Sequence, residues 1–123
     1  MAKTKDLGSA KSGTDHWWMQ RLSAIALAIL SFFVVLIALN LVGKDYASAH
    51  TYIAKPWVAG TLILFLAAAF YHAALGMQEV IVDYIHGKKT LLFALIANKL
   101  MMIALGLASI LSILIVMMKA FGS

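Results

Sequence analysis

PWVAGTLILFLAAAFYHAALGMQEVIVDYIHG, residues 56 to 87, opens with 23 residues that carry no formal charge, and the first charge is Glu79. About 20 such residues let an α-helix cross the roughly 30 Å hydrocarbon layer of a bilayer. Pro56 suits the first turn of a helix, where its missing N–H would have had no partner. Trp57 beside it suits a membrane interface. The stretch therefore reads as a transmembrane helix with a histidine, His72, inside it and with Glu79, Asp83, Tyr84 and His86 towards its far end.

The same pattern recurs on either side. Between Arg21 and Lys44 lie 22 residues without a charge, and between Lys99 and Lys119 another 19. A chain of 123 residues that is 63% hydrophobic and 12% charged has too little polar surface to cover its own apolar side chains, so lipid must solvate most of them. The expected fold is an all-α integral membrane protein with three transmembrane helices at about 21–43, 56–85 and 91–119. Residues 1–20 would form an N-terminal segment ahead of a three-helix membrane domain spanning 21–123.

The polar residues between the spans set the boundaries. Trp17 and Trp18 mark one interface, and Lys44 with Asp45 ends the first helix. Gly87 offers a C-cap for the second helix and Thr90 an N-cap for the third. A third helix from Leu91 to Lys119 would be about 43 Å long, longer than the hydrocarbon layer, so Lys99 can sit at or snorkel to the headgroups. Small residues four apart, as in Ala24 and Ala28, Ala68 to Gly76, and Ala104 with Ala108, permit close helix contact in lipid.

Lys3, Lys5, Lys11 and Arg21 precede the first span, and Lys88, Lys89 and Lys99 lie at the second junction, against Lys44, Lys55 and Lys119 on the other side. The positive-inside rule then puts the N-terminus and the second loop in the cytoplasm, and the first loop and the C-terminus in the periplasm. The first span is too long for a cleavable signal peptide, and Lys44 and Asp45 separate it from the A-x-A pattern at 47–49. Asp6 and Asp15 do not suit a mitochondrial transit peptide, which points to a bacterial inner membrane. The net charge of +5 is spread along the flanks of the spans, which is no nucleic-acid signature. Without cysteine the chain holds no disulfide, no thiolate-bound iron–sulfur cluster and no c-type haem, so a redox centre here would need histidine.

Helix geometry gathers the polar residues of the opening stretch. At 100° per residue, Gly76, Glu79 and Asp83 fall within about 40° of His72, and Ala68 extends the same stripe by one turn. A histidine with a small residue one turn above and below it leaves room for a flat ligand such as a porphyrin. A helix-to-helix hydrogen bond and a proton relay are the alternatives for an intramembrane histidine. Asp83 lies about 16 Å along the axis from His72, at the interface. There it is either a hydrated helix end or, with the Tyr84 phenol, part of a site that binds a quinone carbonyl and supports its proton uptake.

The run His72, Gly76, Asp83, Tyr84 (HAALGMQEVIVDY), with His16 and Arg21 before the first span, resembles the small hydrophobic anchor subunit of bacterial succinate dehydrogenase. The resemblance implies that His72 is one axial ligand of a haem b whose other ligand comes from a partner cytochrome b556 subunit. It implies that Tyr84 and Asp83 bind ubiquinone, that Gly76 gives the haem clearance, and that Arg21 and His16 lie near the haem propionates. It further implies docking of an iron–sulfur subunit and a flavoprotein subunit, which oxidises succinate, on the cytoplasmic face. Succinate-oxidising chemistry would then lie outside this chain. Glu79 departs from the family pattern; its simplest reading is a side chain reaching towards headgroup water. From another class, a small proton-coupled transporter or assembly factor would use Glu79 and Asp83 to carry protons, with His72 a bundle hydrogen bond.

Overall fold

In a computed structural model the backbone is described for residues 2–122 and the side chains for 13–122. The side chains of Lys3, Lys5 and Lys11, used above for orientation, lie outside the described residues. Four helices make up the described chain: α1, Ala2–Leu41; α2, Tyr46–Ile53; α3, Pro56–Tyr84; and α4, Lys88–Gly122. Three of them are long and apolar enough to cross a membrane, over Gly13–Leu41, Pro56–Tyr84 and Lys88–Gly122. The all-α, three-span expectation holds in that respect.

Several boundaries differ, for reasons of local chemistry. α1 begins at Ala2 rather than near residue 21. A polar sequence does not stop a helix, and the first charge-free residue marks where lipid begins, which is a separate event. Gly43 is the described glycine with positive φ, at 81°, and with Lys44 N–H donating to Leu41 O it turns the chain out of α1. Asp45 then caps α2, a helix absent from the expected three. Its carboxylate accepts from Ser48 N–H at 2.9 Å, which holds the Asp45 carboxyl below its usual pKa.

At the other junction Gly87 does not end α3. Ile85, extended at φ −108°, closes it by donating to Ile81 O, and Gly87 O instead accepts the first bond of α4, from Leu91 N–H at 2.7 Å. Thr90 therefore lies inside α4 rather than capping it. Pro56 occupies the first turn of α3, as expected.

α3 is the central helix, packed against α1 on one side and α4 on the other, and α2 folds across α3 and α4 at the Asp45 end. Ile37 of α1, Tyr52 of α2 and Val58 of α3 form the small core there, with Leu41 and Leu62 against it. Lys44 and Lys55 both stack on the Tyr52 ring, 5.3 and 5.6 Å from its centre. Between α3 and α4 the close approach is made at Gly106, where an added Cβ would meet Phe70 at 3.5 Å. Ala24, Ala28, Ala104 and Ala108 are exposed, so those small residues are not buried between helices of this chain.

Candidate functional site

On α1, His16, Gln20 and Ser23 follow one another at steps of four and three, which places them on one stripe of the helix. That stripe faces the His72 stripe of α3 in antiparallel register. His16 meets Glu79, with Nδ1 3.5 Å from Oε1; Gln20 meets Gly76, where an added Cβ would lie 3.7 Å from Nε2; and Ser23 meets His72, with Oγ 2.8 Å from Nδ1. Seven residues forward on α1 match seven residues back on α3. A polar seam two turns long thus runs between two otherwise apolar helices.

The seam opens into a cleft of about 470 Å³ lined by Gly13, His16, Trp17, Gln20, Arg21, Ala24, His72 and Glu79. His16 Nε2 and Gln20 Oε1 are buried there without a hydrogen-bond partner. Buried polar atoms are paired in the great majority of cases, so two orphans beside one cleft mark a place where a further polar group belongs. His72 is half-buried, and Ser23 is its one hydrogen-bond partner among the described residues, through Nδ1; Nε2 is left with none. Arg21 extends its guanidinium over the Trp17 ring, 5.0 Å from the centre, back towards the N-terminal end of α1 as long helical side chains do.

The structure thus gathers His72, His16 and Arg21, all singled out by sequence, around one cleft, while Gly76 lies against the Gln20 side chain beside it. Asp83 lines its continuation with Gly13, His16, Gln78, Glu79 and Val82. Tyr84, the last residue of α3, is 79% exposed and lies apart from both cavities. Glu79 keeps half its side chain in solvent but also joins the seam through His16, a contact that helix periodicity on α3 alone does not disclose. Three further residues escaped the sequence reading: Gln20, in the seam; Ser23, 9% exposed; and Asn98 of α4, 4% exposed, whose side-chain amide donates to Ala74 O at 3.0 Å. The signals were there: a serine at the third step of an α1 polar stripe, and a lone asparagine in a span.

Among the described residues no group of three or more His, Asp or Glu side chains is arranged to hold a bare metal ion. His72 and His16 both line the cleft with an imidazole nitrogen that has no hydrogen-bond partner, and either could meet a group that brings its own metal.

Residues 1–115 match the family model described as "Succinate dehydrogenase/Fumarate reductase transmembrane subunit". Curated relatives carry the same theme. The "succinate dehydrogenase hydrophobic membrane anchor subunit" of Rickettsia bellii is 37% identical over 100 residues, 81% of this chain and 80% of the relative. The Rickettsia conorii protein of that name is 37% identical over 69% of this chain and 68% of its own length, and that of Paracoccus denitrificans 30% over 73% and 72%. No solved structure matches. The resemblance read from the His72 to Tyr84 run is borne out at the level of the family.

Proposed function

The chain belongs to the succinate dehydrogenase/fumarate reductase transmembrane subunit family and is a multi-pass membrane anchor, and on that premise we propose that it holds one side of a haem b and part of a ubiquinone site. The observation that carries the proposal is the cleft between α1 and α3, with its unpaired His72 Nε2 and its two orphaned polar atoms. These residues fit the group. His72 would supply a nitrogen to the haem iron, Gly76 adds no side chain to that face of α3, and Arg21, His16 and Gln20 would supply polar groups for the propionates. A haem so held would provide one-electron redox chemistry within the membrane. A haem held by one histidine of this chain would take a further ligand from another chain, which supports a partner cytochrome subunit. Asp83 and Tyr84, at the hydrated end of α3, would orient a quinone carbonyl and hold a proton for it.

The chain has no cysteine for clusters, so succinate oxidation and cluster transfer belong to the flavoprotein and iron–sulfur partners. Membership of the family weighs against a transporter or assembly factor, and the contact of Glu79 with His16 gives that carboxylate a structural partner. Lysines concentrated on the Gly87 side support a cytoplasmic N-terminus and α3–α4 turn. A bacterial inner membrane agrees with the Rickettsia and Paracoccus relatives.

Purification through a tag on this chain in mild detergent tests the assignment. The expected result is co-purification of a flavoprotein, an iron–sulfur subunit and a second small cytochrome subunit, with haem b. Recovery of the chain without them would contradict it.

A further inference from the structure

Ser23 has one hydroxyl proton and two neighbours that compete for it. Its Oγ lies 3.0 Å from Gln20 O and 2.8 Å from His72 Nδ1. A serine that donates back to the carbonyl of the preceding turn spends its proton there and keeps lone pairs for an outside donor. In that arrangement Nδ1 carries the imidazole proton and donates it to Ser23, and Nε2 carries the lone pair. The opposite arrangement, with Ser23 donating to Nδ1, leaves a proton on Nε2 and no ligand. A metal-ligating histidine is commonly fixed in tautomer and ring orientation by such a bond from its other nitrogen.

We infer that Ser23 is the positioning residue for His72: it accepts the Nδ1 proton, aims Nε2 into the cleft and strengthens the imidazole as a donor. The inference rests on the haem reading above, and it adds a function to α1. The first helix would set the chemistry of a ligand carried by α3, through a side chain that is itself 9% exposed and so locked in place.

Three substitutions, made in the complete complex and read in native membranes as well as after purification, test this. Ser23→Ala removes the oxygen, Ser23→Val removes it while keeping a β-branched shape, and Ser23→Thr keeps it. Two readouts besides turnover are used: the rate at which haem leaves to an added haem-binding protein, and the haem midpoint potential. Hydrogen-bond partners of a metal ligand typically account for about 10- to 100-fold in metal affinity, and haem loss should accelerate by that order in the Ala and Val variants. The potential should rise in both, because an imidazole without a hydrogen-bonded Nδ1 proton stabilises ferric iron less. A tenfold selective loss of ferric affinity corresponds to about 59 mV for one electron. Ser23→Thr should restore both values. Wild-type potential and retention in the Ala and Val variants would overturn the inference, and so would Thr behaving like Val, since packing would then explain the effect. Haem retained in His72→Ala would instead remove the haem reading itself, leaving the Ser23–His72 contact as a bond between helices.

Discussion

His72 is held by Ser23 at Nδ1, lines the cleft between α1 and α3, and has Gly76 one turn on along its own helix. Its place on a stripe with Gly76, Glu79 and Asp83 was legible from spacing, because those residues share one helix and the 3.6-residue period fixes their relative directions. What faces them was not legible. The register of α1 on α3 depends on packing between segments some 50 positions apart, so neither Ser23 opposite His72 nor His16 opposite Glu79 follows from either helix read alone. Tyr84 stands outside this seam at the end of α3, which sets up a separable effect. Tyr84→Phe should lower succinate:quinone reductase activity by about 100-fold or more, within the usual range for one positioned proton-donating group. Succinate oxidation by a soluble artificial acceptor, which bypasses the quinone, should persist. Equal loss of both rates would assign Tyr84 to assembly.

At the scale of elements, two side chains tie the long helices together: Ser23 joins α1 to α3, and Asn98 joins α4 to α3 at Ala74. Ala74 O lies two residues beyond His72, so the Asn98 bond helps fix the rotation of α3 and the direction of its histidine. Hydrogen bonds between membrane helices average about 0.6 kcal/mol and reach about 1.7. Asn98→Leu should therefore weaken helix packing by about that much, seen as a lower midpoint for thermal loss of the complex in detergent, without abolishing haem binding. No change in that midpoint would mean that apolar packing around Phe70 and Gly106 alone holds α4 in place. The existence of three spans was legible because charge-free length is decisive in lipid. The helical ends were less so. α1 continues through its polar start, and α2 arises where Asp45 caps a short run of residues that read as loop by composition.

Across the whole molecule, the aromatic residues define two levels. Trp17 and Trp18 lie level with Gln78 and Met77 by the antiparallel register, and Trp57 lies about 21 residues away along α3, or about 32 Å, close to the thickness of the hydrocarbon layer. His72 then sits about 9 Å inside the Trp17 level and Asp83 about 7 Å outside it, so one helix carries a histidine at a lipid level and a carboxylate at the interface. The accessible surface is 8870 Å², against about 6,500 Å² for a globular monomer of this mass, and Phe93, Leu100 and Leu107 of α4 are among the large apolar side chains left open. Such a surface suits lipid and a partner subunit together, and a partner is also what the proposed haem site would require. The reduced-minus-oxidised spectrum of the purified His72→Ala complex is the most direct measurement of that account. It should lack the b-type haem band while the flavoprotein and iron–sulfur subunits remain bound; an undiminished band at wild-type haem content would contradict it.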